Sequence, residues 1–266
     1  MERISRERLY LSTLAPDAAE LARSRGLGVE LVEYCTAYNM DREFAGTDAV
    51  VQAELRGNPR RILHAPFNEL FPCAIDPEAR ALAARRYRQA LALAVGYGAN
   101  KVVIHSGYAP TFYYDCWFEE QSILFWRDFL KEIPDGITVC LENVLETRPE
   151  PLLHIVEAVG DQRLRICLDV GHVHAYSREP VEDWLRAYAP WLSHFHLHNN
   201  RGGVDTHSHL AEGTIDMAGL LREALALCPA ASFTLETTRT GPDLDWLEEQ
   251  GLVERQNAEC RMQNAK

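Results

Sequence analysis

Nine side chains able to bind a divalent metal fall in or just beyond short apolar runs: His64, His105, Glu142, Asp169, His172, His196, Asp205, His207 and Glu236. The runs are RILH (61–64), KVVIH (101–105), ITVCLE (137–142), RICLDVGH (165–172), HFHLH (194–198) and SFTLE (232–236). Imidazole nitrogen and carboxylate oxygen are donors that suit ions such as Zn2+ or Mn2+. A single His at a strand end is more often structural than a ligand, but nine such positions on one rim are not independent. Burying Glu142, Asp169 and Glu236 together without cations would cost on the order of several kcal/mol in repulsion and lost hydration. In Asp169-Val170-Gly171-His172 a carboxylate closes the strand and an imidazole follows three positions on, with Gly171 expected to free a sharp turn between them. Asp205-Thr206-His207 forms a short loop pair after Gly202-Gly203, and the period of two puts His194, His196 and His198 on one strand face.

Something must bring these positions to one point. Short apolar runs recur near 7–12, 28–34, 61–65, 101–105, 137–142, 165–170, 193–198 and 232–236. Helix-like segments lie between them, at 16–26, 48–56, 76–99, 117–132, 149–159, 180–189, 216–227 and 243–250. The first opens on Pro16 and Asp17 and stops on Gly26; the third is rich in Ala, Leu and Arg, with Leu82, Tyr87, Leu91 and Val95 as its core stripe. Eight strand–helix units in alternation imply a parallel sheet, and eight close a single α/β TIM barrel, (β/α)8, over residues 1–255 with a polar tail at 256–266. An open doubly wound sheet would call for a Gly-rich phosphate loop after the first strand, and LYLSTLAPDAAE has none. In a barrel every strand end faces one opening, which gathers residues far apart in sequence.

Composition narrows the partners. The 266 residues are 47% hydrophobic and 25% charged, enough for a large core under an ordinary polar surface. The net charge of −12 argues against nucleic acid, whose binding rests on Lys and Arg neutralising phosphates. Arg85, Arg86 and Arg88, the densest basic run, fit a solvated helix face. No apolar stretch suits a membrane span and MERISRERLY lacks a secretory core, so the expectation is a cytoplasmic protein with no membrane partner. The seven cysteines include no CxxC pair; Cys140 and Cys167 lie in apolar runs and are expected to be buried free thiols.

The motifs LHAPF, IHSG, LENV, CLDVGH, HLHNN, DTHSHLAEGTIDM and LET, in this order, resemble the xylose-isomerase-like TIM barrel superfamily. That group holds sugar and sugar-phosphate isomerases and epimerases, and the endonuclease IV type of AP endonuclease (family 2). The endonuclease-like branch implies three Zn2+ ions: His64, His105 and Glu142 on one, Glu142, Asp169, His196 and Glu236 on a second, and His172, Asp205 and His207 on a third. The isomerase branch implies one Mn2+ or similar ion on Glu142, Asp169, His196 and Glu236, with the two Glu shuttling a proton and His172 touching substrate. Asn199-Asn200 and Ala211-Glu212-Gly213 depart from the usual motif residues without removing a ligand.

Two chemistries follow. A multinuclear site suits hydrolysis of a phosphoester, with a small phosphodiester or sugar-phosphate-like substrate; this is the leading expectation, on ligand count. A mononuclear site suits isomerisation or epimerisation of a sugar or sugar phosphate by a Glu base. A non-catalytic metal- or sugar-binding barrel is the third reading. Catalytic roles fall to Glu142, Glu236 and His172. Substrate contacts are expected from Asn68, Tyr108, Asn143 and Arg201, and the aromatic loop 106–118, with Tyr113, Tyr114 and Trp117, is a candidate lid. Glu33 and His154 are given surface or structural roles. His174, His194, His198 and His209 lie near the site without a clear ligand slot. The chemistry leaves room for a homo-oligomer.

Overall fold

The computed structural model describes residues 2–254; the domain end at 255, the tail 256–266 and Cys260 lie outside them. Eight strands, β1 (Leu9–Ser12), β2 (Gly28–Leu31), β3 (Arg61–His64), β4 (Lys101–His105), β5 (Thr138–Glu142), β6 (Leu164–Asp169), β7 (Leu192–Leu197) and β8 (Ser232–Leu235), pair in sequence order, all parallel. β8 returns to β1 and closes the barrel. The outer ring is α1 (Ala18–Arg25), α2 (Ala37–Asp41), α3 (Phe44–Glu54), α4 (Pro77–Tyr97), α5 (Asp115–Phe129), α6 (Glu150–Val159), α7 (Val170–Tyr176), α8 (Val181–Tyr188), α9 (Met217–Leu227) and α10 (Thr240–Glu249).

Side-chain alternation sorts the core. Leu11, Val29, Leu63, Val102, Ile104, Val139, Leu141, Ile166, Leu168, Phe195, Phe233 and Leu235 point outward and pack under the helices. The opposite parity faces the barrel axis, where Tyr10, Ile62, Val103, Cys140 and Cys167 form a separate small cluster. Continuing up the same inward rows, the last inward residues of β3 to β7 are His64, His105, Glu142, Asp169 and His196. Register sets these ends side by side: His105 pairs with Glu142, and Asp169 with His196.

Helix limits follow local chemistry. Asp76 caps α4 by accepting from the Glu78 amide, Pro77 supplies the first turn, and Gly98 ends it in the left-handed region at φ 71°. The buried face of α4 is Ala83, Tyr87, Ala90, Leu91, Ala94 and Tyr97, with Leu82 half-buried and Val95 52% exposed. The expected stripe therefore runs one position off at both ends, because small alanines face the sheet. Two short helices, α2 and α7, escape the periodicity pattern: each is too brief to show a period, and α7 begins directly on the last residue of β6.

Candidate metal centre

The strand ends converge. Glu142 lies among four imidazoles, with His64 Nε2 at 3.2 Å, His105 Nε2 at 3.5 Å, His172 Nδ1 at 3.3 Å and His196 Nδ1 at 3.4 Å. His196 Nδ1 also meets Glu236 Oε2 at 3.0 Å and Asp169 Oδ2 at 3.8 Å. Donors about 2.0–2.1 Å from a tetrahedral ion stand about 3.3 Å apart, so these spacings are those of a ligand cage. Among the described residues five groups have all their donor atoms within 4.8 Å of one another: His64/His105/Glu142, His64/His196/Glu236, Glu142/Asp169/His196/Glu236, His198/Asp205/His207 and Cys167/His194/His196.

Ring orientation tests whether the donors suit a cation. A carbonyl or ionised carboxylate can only accept, so a ring nitrogen beside one carries the proton and its opposite nitrogen holds the lone pair. His64 Nδ1 donates to the Ala65 carbonyl at 2.9 Å, His172 Nδ1 to the Asn143 carbonyl at 3.0 Å, and His207 Nδ1 to the Glu236 carbonyl at 2.8 Å. His196 Nε2 donates to Glu30 Oε1 at 2.9 Å, and His198 Nε2 to Asp169 Oδ1 at 3.0 Å. In the neutral tautomer that donates there, each of the five rings would turn its lone pair toward carboxylates of the site, as ligation of a cation requires. The buried atoms His196 Nδ1, His198 Nδ1 and Asp205 Oδ1 have no hydrogen-bond partner. Buried polar atoms are rarely left so, and cations bound at the central and rim groups would satisfy all three.

Electrostatics agree. Burial raises a carboxyl pKa, yet His105 and His196 hold Glu142 well below its ordinary value. Glu236 is lowered against the same burial by His196, and Asp169 by His172 and His198. Burial favours neutral imidazole, but Cys35 and Glu142 hold His64 well above its usual value, and Asp205 brings His207 up to about 9. His105 is the exception: burial takes it down to about 3. Burial also keeps Cys167, beside His194 and His196, a neutral thiol and a poor ligand.

A cavity of about 540 Å³ opens onto His64, His105, Glu142, His172, Asp205, His207 and Glu236. Leu14, Val32, Cys35, Phe67, Thr206 and Thr238 complete its wall, without any Lys or Arg among the described residues. None of the four expected substrate contacts lines it. Asn68 and Arg201 are exposed, and Tyr108 turns its hydroxyl onto Asp115 at 2.5 Å. Asn143 is buried and clamps the Asp169 backbone through both amide atoms, at 3.0 Å each. In the aromatic loop Trp117 Nε1 is tied to the Cys73 carbonyl, whereas Phe112 and Tyr114 are 79% and 84% exposed.

Three features differ from the sequence reading. His198 Nδ1 falls with Asp205 and His207 in a group whose donors could hold a metal ion. Gly171 lies inside α7, and its role is clearance: a Cβ there would overlap the His198 ring at Cε1 and Nδ1. Glu30 is absent from the expected site residues, although it is buried on the barrel axis and accepts from His194, His196 and Thr234. Its sequence signal is a lone carboxylate inside the strand GVEL. Carboxylate partners of a ligating His fix its ring and raise its basicity.

Comparison with known proteins agrees with this architecture. An uncharacterised protein of Methanocaldococcus jannaschii is 31% identical over 177 residues, 61% of this chain and 59% of that protein. A solved structure of a Thermus thermophilus protein soaked with ZnCl2 superposes with TM-score 0.72 and 26% identity, covering 91% of this chain and 97% of that one. A D-tagatose 3-epimerase-like protein superposes with TM-score 0.74 and 20% identity, covering 97% and 100%. The family described as xylose isomerase-like TIM barrel matches residues 20–256. The chain belongs to the xylose isomerase-like TIM barrel family.

Proposed function

We propose that the protein is a divalent-metal-dependent isomerase or epimerase of a sugar, with Glu142, Asp169, His196 and Glu236 as the ligands of the reactive ion. The carrying observation is the asymmetry between the two glutamates at His196 Nδ1. Both border the cavity, but Glu142 is fenced by four imidazoles, at 3.2–3.5 Å, while the Glu236 carboxylate pairs with one, His196 Nδ1 at 3.0 Å. The first is built to stay put as a ligand; the second is placed to move a proton.

A divalent ion held there would withdraw electron density from a bound carbonyl oxygen and acidify the adjacent C–H. Glu236 takes that proton as general base. Returning it on the same side to the neighbouring carbon isomerises the substrate; epimerisation requires protonation of the same carbon from the opposite face by a second acid, a role open to Glu142, the other glutamate on the cavity wall. No redox partner is needed. Phe67, stacked on His105 at 4.2 Å between ring centroids, offers an apolar wall for a sugar face. The absence of Lys and Arg from the described lining favours an uncharged sugar over its phosphate. The sugar epimerase-like neighbour fits this reading.

Phosphoester hydrolysis, the leading expectation from sequence, is the second reading. It is favoured by the two donor groups flanking the central one, since clustered ions can clamp attacking and leaving oxygens.

The test is incubation of Mn2+- or Zn2+-loaded protein with a panel of ketoses and aldoses in D2O. Deuterium should enter at the carbon next to the carbonyl, and Glu236→Gln should abolish its entry. No exchange with any sugar, together with cleavage of bis(p-nitrophenyl) phosphate, would replace this reading with the hydrolase.

A further inference from the structure

Beneath the central carboxylates the barrel interior carries a polar column on the inward rows of β2, β4, β7 and β8. Its floor is Lys101, the first residue of β4. Lys101 Nζ reaches across to β7 and β8, donating to the Ser193 carbonyl at 2.8 Å and to Ser232 Oγ at 2.7 Å. An ammonium has protons to give and no lone pair to accept one. Ser232 Oγ, which receives a proton from below, hands its own to His194 Nδ1 at 2.6 Å; its other acceptor, the Ser193 carbonyl, is farther off at 3.3 Å. With Nδ1 accepting, His194 carries its proton on Nε2, 3.0 Å from Glu30 Oε2. Thr234 Oγ1 lies 2.9 Å from the same Nε2 and donates to the same Glu30 oxygen. Glu30, His194, Ser232 and Thr234 are all buried. Lys101 is half-buried and has no carboxylate partner among the described residues, so its charge serves the column instead of an ion pair.

A neutral imidazole has two tautomers, and here they leave Glu30 in different states. With the proton on Nε2, His194 and Thr234 both donate to Glu30 Oε2. With the proton on Nδ1, the Thr234 hydroxyl would turn to the bare Nε2, and Glu30 Oε2 would lose both donors. The floor breaks this tie: a hydroxyl already filled by an ammonium points its proton at Nδ1, and the cation below repels a proton placed there. We propose that Lys101 and Ser232 are positioning residues for His196, acting through a one-way chain of donors from Lys101 to Ser232 to His194 to Glu30. Glu30, held on Oε2, keeps Oε1 at the Nε2 proton of His196, 2.9 Å away, and so aims His196 Nδ1 at the central carboxylates. The proposal rests on His196 as a ligand of the reactive ion, but its first readout needs neither metal nor substrate.

That readout is the pair of 15N shifts of His194 in metal-free protein, assigned by their loss in His194→Gln. Wild type should show a bare Nδ1 and a protonated Nε2. Lys101→Met should draw the two shifts together as the Nδ1–H form becomes populated, and Lys101→Arg, which restores a donor-only cation, should separate them again. Affinity for the central ion, read by competition with a fluorescent chelator, should fall about 10-fold in Lys101→Met. The same change made on Glu30→Gln should add little, because the chain acts through Glu30. If Lys101→Met misfolds, Ser232→Ala breaks the same chain and should mix the tautomers alike, and the wild-type spectrum decides by itself. A wild-type His194 with its proton on Nδ1 overturns the proposal. Unchanged His194 shifts in folded Lys101→Met or Ser232→Ala overturn it too, whatever happens to metal binding. Failure of the sugar reading would leave these spectra as they are.

Discussion

Glu30 Oε1 accepts the Nε2 proton of His196 at 2.9 Å, and this one bond decides which face of the imidazole meets the central carboxylates. Glu30 is an acceptor only, so neutral His196 keeps its proton on Nε2 and presents the Nδ1 lone pair 3.0 Å from Glu236 Oε2. The other Glu30 oxygen receives His194 Nε2 at 3.0 Å and Thr234 Oγ1, which stops the carboxylate from swinging away. Burial disfavours the charge, but His196 and His194 hold the Glu30 pKa well below its usual value. Glu30→Gln keeps the volume and can present an amide N–H to Nε2, inviting the wrong tautomer. Affinity for the central ion should fall about 10- to 100-fold, read by competition with a fluorescent chelator. Wild-type affinity in a folded variant would show that Glu30 does not set the ring.

Gly171 is the second position where a small change reaches the metal centres. Glycine to alanine inside a helix ordinarily stabilises by about 0.8–1 kcal/mol. Here the new methyl would overlap His198 Cε1 and Nδ1, on a ring fixed by Asp169. Overpacking a filled site costs about 1–3 kcal/mol, so the clash outweighs the helix gain. Gly171→Ala should lower the urea midpoint, and zinc should restore less stability to it than to wild type. A higher midpoint than wild type would mean that His198 yields freely.

The reach of sequence reasoning can be judged at these same residues. Strand ends are legible because apolar alternation and a terminal His or carboxylate coincide in RILH, KVVIH and ITVCLE. Closure follows from eight alternating units, and closure alone brings His64 and Glu236 to one rim. Glu30 is hidden because its partners His194, His196 and Thr234 lie more than 160 residues away and meet it only once the barrel closes. His198 is hidden because its use depends on which ring nitrogen Asp169 claims, a question of angle rather than spacing. Asn68 and Arg201, by contrast, follow strand ends in sequence, but both are exposed and neither lines the cavity.

Away from the site, Glu54 on α3 faces Glu33. Each keeps one buried carboxyl oxygen without a hydrogen-bond partner. Burial first, and then the Glu33 charge, push Glu54 up to about 8. A folded pKa above the unfolded value means that the fold binds the extra proton. Its contribution is fully present below about 4.3–4.5, the ordinary range of Glu, and is lost as pH rises through about 8. Glu54→Gln mimics the protonated form. It should raise the melting temperature at pH 8, change it little at pH 4.5, and flatten the wild-type decline between those values. A variant curve parallel to wild type across that window would remove Glu54 as its cause.

Metal removal and pH should act together at His207. In the metal-free protein burial favours the neutral ring, but Asp205 raises the His207 pKa to about 9. That ion pair is fully formed below about 6.5, the unfolded value, and is lost as pH rises through about 9. A metal needs the deprotonated ring, so protons compete with it throughout that window and less so toward its upper end. Two trends therefore have opposite sign: the metal-free fold loses the pair as pH rises, while zinc binds more strongly. A ligand at 100 times its Kd adds about 2.7 kcal/mol to stability. At about 2–4 °C per kcal/mol for a chain near this size, chelation should cost about 5–10 °C at neutral pH. The gap between zinc-loaded and chelated protein, followed by thermal scanning, should widen from pH 6 to pH 8.5. A gap that stays constant or narrows over that range would mean that zinc does not displace the His207 proton.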